Sequence, residues 1–301
     1  ADVRNYKRME QIFQECKPHF VYHAAAYKHV PLMETHPYEA VATNVIGTKN
    51  VADLALQYGV QKFVMISSDK SVNPTNVMGA TKRIAEVYVQ ALYNHHIKKC
   101  EGDNAPANPQ ESGKEQGLTK FITTRFGNVL GSNGSVIPRF AAQIKNCGPV
   151  TITHPDISRD FMTIPEACQL VLEAGSMGKG GEIFVFNMGK MVRIIDLANK
   201  MIRLAGLIPG VDIDLKFIGL RPGEKLHEEL LNTKENTIPT YHDQILIAKV
   251  RQYDYEEVIT NMNSLINLIE TGKGEMQIVK MMKKMIPEYL SNNSVFESLD
   301  E

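Results

Sequence analysis

The chain has 301 residues, 43% of them hydrophobic, with 33 Lys plus Arg against 34 Asp plus Glu. That is enough apolar matter for one large core or two modest ones, and so even a charge balance offers no field to hold a polyanion or an acidic membrane surface, which sets nucleic acid aside as a partner. Cys16, Cys100, Cys147 and Cys168 are scattered, with no C-x-x-C and no neighbouring metal ligands, no apolar run approaches the roughly 20 residues of a membrane span, and no secretory leader precedes the first motif, so a cytoplasmic protein with reduced thiols is expected.

After "ADVRN", apolar residues at Met9, Ile12, Phe13 and Cys16 predict a helix over residues 6–16. "HFVYHAAA" is a short apolar strand that ends in small residues. A second helix is predicted over 37–59, stopping at a glycine, and "KFVMISS" follows as another continuous apolar strand. A helix over 79–95 leads, across a polar stretch at 98–117 read as a mobile surface insertion, to the strand "KFITTRFGNV". Strands apolar on both faces that alternate with helices predict a doubly wound, parallel α/β sheet. Beyond residue 130 come shorter strands ("PVTITH", "EIFVFNMG", "DLKFIG", "QILIA") and helices at 165–175, 194–205 and 254–270. These suggest a division into a cofactor domain over 1–150 and a mainly substrate-binding lobe over 151–301, with some of the strands free to return to the main sheet. The Met and Ile stripe of "MQIVKMMKKMIPEYL" reads as core or as a subunit contact.

In an open α/β sheet ligands bind beyond the carboxyl ends of the strands, which directs attention to "AAAYKH", "SSDK" and "RFGNVLGSNGS". Asp69 and Lys70 can address one substrate only if the chain leaves β geometry there. In a dry pocket they would form an acid–base pair, and in water only a loop salt bridge. Met78 and Lys82, four residues apart, share one helix face, a spacing of little specificity by itself. The glycines after "RF" permit phosphate binding or a bare turn, and Arg159 and Arg221 are candidate diphosphate clamps or surface ion pairs. His23, His29 and His36 are too loosely spaced for zinc, and "HEEL" at His227 lacks the second histidine of H-E-x-x-H, so no metal is expected.

Together the segments "DVRN", "HAAAYKHVPLME", "NVIGTKNV", "SSDKSVNPTNVMGATKR", "RFGNVLGSNGSVIPRF", "SRDFMTI" and "RPGEKLHEEL", between residues 2 and 230, resemble the extended short-chain dehydrogenase/reductase family, specifically its nucleotide-sugar 4,6-dehydratases of bacterial polysaccharide and glycan biosynthesis. A branch of that family carries methionine where other members keep tyrosine, and "NVMGATK" is similar to that branch. The resemblance implies a Rossmann-type fold, a bound NAD(P), UDP-N-acetylglucosamine as substrate and a homo-oligomer. It implies Asp69 and Lys70 as the acid–base pair, preceded by the hydroxyl of Ser68, with Met78 at the tyrosine position and Lys82 on the nicotinamide ribose. It places Asp2, Val3 and Arg4 against the adenine, and Ala24, Ala25, Ala26 and Phe126 along the cofactor. Lys28, Asn128, Arg159, Arg221 and Glu224 match positions that hold the nucleotide sugar.

One departure stands out. No G-x-G-x-x-G occurs in the chain, so the phosphate loop and first βαβ part of a dinucleotide fold are missing, and the sequence is expected to be an incomplete record of a longer chain. Longer members of the family carry membrane segments before this region, so a cytoplasmic location describes this domain and not its parent. Two other readings are a nucleotide-sugar 4-epimerase, which needs no acid at C6, and a non-catalytic nucleotide-sugar binding module.

Overall fold

The computed structural model describes residues 1–102, 118–231 and 236–300. Helix α1 (Tyr6–Cys16) is capped by Asn5, whose side chain accepts from the Arg8 amide, and leads into strand β1 (Phe20–His23). Helices α2 (Val30–Thr35), α3 (Pro37–Ala40) and α4 (Gly47–Gln57) follow, then β2 (Lys62–Ile66), the long helix α5 (Val77–Gly102) and β3 (Lys120–Arg125). The second half contributes β4 (Asn128–Val129), α6 (Val136–Lys145), β5 (Val150–Ile152), β6 (Ser158–Arg159), β7 (Phe161–Met162), α7 (Ile164–Met177), β8 (Ile183–Phe186), β9 (Val192–Arg193) and α8 (Ile194–Leu204). It ends with β10 (Leu215–Phe217), β11 (Asn236–Pro239), β12 (Ile245–Lys249), α9 (Tyr255–Glu270) and α10 (Glu275–Met285).

The main sheet runs β1-β2-β3-β8-β12-β11. Its first four strands are parallel, and β12 and β11 close it antiparallel. The continuous apolar runs of β2 and β3 have a physical cause, since both faces of these strands are covered. Phe63, Met65 and Phe121 pack into the core that α4, α5, α9 and α10 share, whereas Val64 and Ile122, pointing the other way, join Leu170 and Ala174 of α7. The alternation sorts each strand's residues into two cores.

Strands β8 and β12, whose return to the sheet the sequence left open, do return to it. A third core, around Phe140 and Ile144 of α6, Val150 and Ile152 of β5, and Ala198 and Ile202 of α8, forms a smaller lobe on the carboxyl side of the strands.

Two predicted helices differ from those observed. The single helix expected over 37–59 is interrupted by a π-helical segment, Val41–Ile46. The extra residue in that turn brings buried Asn44 to the backbone of the loop after β1, where its side chain accepts from Tyr27 N (2.7 Å) and donates to Tyr27 O (2.9 Å) and Thr81 Oγ1 (3.0 Å). The helix expected over 79–95 begins earlier and ends later. Val77 N is taken up by Glu34 Oε1 at 2.6 Å and Gly79 N by Asn76 Oδ1 at 2.7 Å, which fixes the start. No glycine or proline stands between Gly79 and Gly102, so the helix continues through 98–102, which corrects the reading of those residues as part of an insertion. The rest of that stretch, 103–117, lies outside the described residues.

Candidate active site

Strand β2 delivers its carboxyl end to the site. Ser67 N and Asp69 N still donate to Thr124 O and Phe126 O, at 2.8 and 3.1 Å, so the ladder beside β3 continues past Ile66. The chain then leaves β geometry in a 3₁₀ turn, Asp69–Ser71, and the turn puts the Lys70 ammonium 3.0 Å from Asp69 Oδ1. The same carboxylate oxygen accepts from Ser68 Oγ at 2.7 Å and from Lys70 N at 2.8 Å. Asp69 is 2% exposed, so this pair is no solvated loop bridge.

Gly79 explains why the next helix can start so close to the turn. A Cβ there would stand 2.1 Å from the Lys70 carbonyl oxygen, so the backbone of α5 lies against the backbone of Lys70.

Beneath the turn lies a buried ionic network. Arg125 donates from Nε and Nη2 to the two Glu86 oxygens, at 2.9 and 2.7 Å, and Arg83 Nη1 donates to Oε2 at 3.0 Å. Burial would push the Glu86 carboxyl up, but the two guanidinium groups outweigh it and hold it at about 2. Ser71 Oγ, 2.8 Å from Glu86 Oε1 and 2.7 Å from Ser68 O, joins network to turn. Sequence reasoning missed all three of Arg83, Glu86 and Arg125, although a buried arginine closing a strand was a signal.

The turn opens into a cavity of about 460 Å³, of a size suited to a small-molecule ligand. Ser68 and Lys70 line it beside Met78 and Lys82 of α5, with Asp69 behind them. Met78, 3% exposed, presents an apolar wall. Lys82 Nζ donates to Ile66 O at 2.7 Å, and burial lowers its ammonium to about 8, with Glu86 acting in the opposite direction. Burial, helped by the Lys82 charge, pushes neighbouring His23 down to about 3, and its ring lies 2.9 Å from Thr48 Oγ1, so it is a neutral core histidine.

Ala24, Ala26, Lys28 and Phe126 line the cavity as well, as do Asn128, Arg159, Arg221 and Glu224 from the lobe side. Ala25 is exposed and off this wall. Asp2, Val3 and Arg4 are also away from it: Arg4 pairs with Asp2 and Glu39 at the surface, and Asn50 Nδ2 donates to Val3 O.

The two arginines expected at a diphosphate are in different situations. Arg159 is largely committed to the backbone, donating to Ser158 O and Leu226 O from Nη1 and to Lys225 O from Nη2, and so pins the segment that follows "RPGE". Arg221 N donates to the Glu224 carboxylate at 3.0 Å, and the turn between them docks on the start of α5 through Asn76 Nδ2, which donates to Gly223 O at 3.0 Å. Gly223 has φ of +76°, and a Cβ there would meet Asn76 Cβ at 2.4 Å. Glu228, from the same segment, lines the cavity at 7% exposure and was not anticipated. Among the described residues no cluster of His, Cys, Asp or Glu could hold a metal ion, and no helix is long and apolar enough to cross a membrane.

A mostly parallel, doubly wound sheet with its cavity at the carboxyl edge of the strands is the fold of the short-chain dehydrogenase/reductase class. Comparison agrees with that class and narrows it. Residues 1–250 match the family model described as polysaccharide biosynthesis protein, and the chain belongs to that family. It is 52% identical over 267 residues to the capsular polysaccharide biosynthesis protein CapD of Staphylococcus aureus, covering 89% of this chain and 41% of that one, so it spans about two fifths of that relative's length. The crystal structure of Pen from Bacillus thuringiensis superposes with a TM-score of 0.68 at 33% identity, over 89% of this chain and 80% of that one. The dTDP-glucose 4,6-dehydratase DesIV of Streptomyces venezuelae, solved with NAD, shares the fold at 18% identity and a TM-score of 0.62, over 76% of this chain and 69% of that one.

Proposed function

We propose that the protein is a nucleotide-sugar 4,6-dehydratase that converts UDP-N-acetylglucosamine into a UDP-4-keto-6-deoxy sugar for surface polysaccharide or glycan biosynthesis. The observation that carries this reading is the Asp69–Lys70 pair, 3.0 Å apart, with Lys70 on the cavity wall beside Met78 and Lys82 and Asp69 buried behind it. Elimination of water across C5 and C6 needs a base and an acid side by side, whereas inversion at C4 needs no acid at C6.

The residues present fit the nicotinamide end of an NAD(P) cofactor. Ala24 and Ala26 leave room along the wall, and the buried Lys82 amine is placed to hold a ribose hydroxyl. When bound, the nicotinamide would take hydride from C4 and return it to C6.

The chain's own part is proton transfer. Burial works against the charge on Lys70, but Asp69 and Glu228 outweigh it and raise its pKa, so the pair rests as carboxylate and ammonium, holding one mobile proton between them. Passing that proton along the 3.0 Å contact leaves a neutral amine at Lys70 and a carboxylic acid at Asp69. Lys70 then takes the C5 proton, made acidic by the C4 ketone, while Asp69 gives its proton to the departing C6 oxygen. Water leaves, and the pair is again carboxylate and ammonium; as hydride reached C6, Lys70 would give its proton back to C5, and the proton released from the C4 hydroxyl, relayed through solvent, would recharge the pair for another cycle. Ser68, hydrogen-bonded to Asp69, orients the acid. Met78 cannot exchange a proton, and the positive charge of Lys82 near the cavity wall favours loss of the C4 hydroxyl proton.

Incubating the full-length protein with UDP-N-acetylglucosamine in deuterated water and recording proton NMR tests the reading. A new C6 methyl signal is expected. Inversion at C4 without it would identify an epimerase, and no change would favour a binding module. Asp69→Asn should lower kcat by about 10³-fold, within the range for loss of a general acid. Full dehydration by that variant would overturn the assignment.

A further inference from the structure

Glu228 exchanges no proton in the mechanism above, yet it sits on the cavity wall against the group that acts as base. Its Oε1 lies 3.6 Å from Lys70 Nζ and 3.7 Å from Arg159 Nη2. It is 7% exposed, and its Oε2 is buried with no hydrogen-bond partner among the described residues. A carboxylate so placed is costly unless neighbouring charges compensate it. The compensating cations are Lys70, from the turn after β2, and Arg159, from β6 of the smaller lobe, so one carboxylate ties the two halves of the cavity together.

We infer that Glu228 is a positioning residue for Lys70: its carboxylate, shared between Lys70 and Arg159, holds the lysine against Asp69 so that the pair keeps its single mobile proton. The inference rests on the dehydratase reading for its catalytic meaning, but not for its electrostatics. Without a second negative charge, the burial of Lys70 would favour loss of that proton to solvent, and a pair with no proton has a base but no acid for the C6 oxygen. Arg159 limits the effect by drawing part of the Glu228 charge to itself.

Several charged groups surround Lys70 among the described residues. Asp69 and Glu228 favour its charge and Arg159 opposes it. Lys225, whose own ammonium burial pushes down, also faces Lys70 and is tied to Val72 O at 2.9 Å. Asp160 lies behind Asp69, its carboxyl raised by burial and by the Asp69 charge.

Competitive acetylation of Lys70 by acetic anhydride across a pH series, read by mass spectrometry on the full-length protein, gives the titration midpoint without any need for activity. In the unaltered protein the midpoint should lie above the ordinary 10.5 of a lysine. In Glu228→Gln it should fall by about one pH unit, the usual scale for loss of an opposite charge within 4–6 Å. The alkaline limb of kcat for dehydration should move down with it, while Glu228→Asp, which keeps the charge, should restore most of the difference.

A midpoint that stays fixed in a folded Glu228→Gln protein overturns the inference, and loss of activity with a fixed midpoint marks Glu228 as merely structural. Should Glu228→Gln fail to fold, an unaltered protein whose Lys70 midpoint is at or below 10.5 overturns it equally. Absence of a 6-deoxy product from the unaltered enzyme would remove the dehydratase reading and leave the Lys70 titration to decide the role of Glu228.

Discussion

Glu86 is 1% exposed and carries a full charge because two arginines surround it. Its pKa is depressed on folding, so its contribution to stability is fully present above the ordinary 4.5 and is lost as pH falls through about 2. Glu86→Gln should therefore cost on the order of 3–5 kcal/mol at pH 7, the scale for breaking a buried pair, and the gap to the unaltered protein should narrow between pH 4.5 and 2. Urea unfolding across that range checks it, and a gap independent of pH would refute the account. At this scale the sequence was only half readable. "SSDK" after an apolar strand announced a polar site, because nothing about a buried loop requires those residues. Glu86, Arg125 and Glu228 stayed hidden because the pairings of Glu86 with Arg125 and of Glu228 with Lys70 and Arg159 join residues 39 or more positions apart in the chain. Arg159 could be placed at the cavity from its motif, but its commitment to the carbonyls of Lys225 and Leu226 depends on how a distant segment folds back.

Among the elements, α5 shows how a helix start can govern chemistry. With a Gly79 Cβ 2.1 Å from the Lys70 carbonyl, Gly79→Ala must move either the helix or the turn, and Gly79 is buried. Stability should fall by roughly 1–3 kcal/mol, the usual cost of overpacking, and kcat should fall further than KM changes, since the acid–base pair rides on the turn. Steady-state kinetics beside thermal melts would separate the two effects. The existence of most helices was legible from period and caps. Thr163, for example, with Glu166 three residues on, forms the capping box that opens α7. The π segment was not legible, because one extra residue per turn leaves the apolar pattern of 37–59 almost unchanged. Deleting a residue within Val41–Ile46 would swing Asn44 through about 100° and detach the backbone of Tyr27.

For the whole molecule, the parallel character of the first strands followed from their two-sided apolar runs, whereas the antiparallel edge made by β12 and β11 rests on pairings no local pattern encodes. The cavity draws on both the sheet edge and the smaller lobe, so binding of UDP-N-acetylglucosamine should slow amide hydrogen exchange in two separate segments at once, 127–135 and 221–228. Protection confined to one of them would place the nucleotide sugar elsewhere. The route of the chain also constrains motion. After β3 it enters the lobe, returns as α7 and β8, enters the lobe again through α8 and β10, and comes back once more for β11 and β12. Several covalent crossings fasten lobe to sheet, and a body attached at several points cannot swing like a door on one pin. If the cavity turns over a nucleotide sugar as proposed, its entry would rest on local yielding of the rim at "GSNGS" and "RPGEK" and not on a domain hinge.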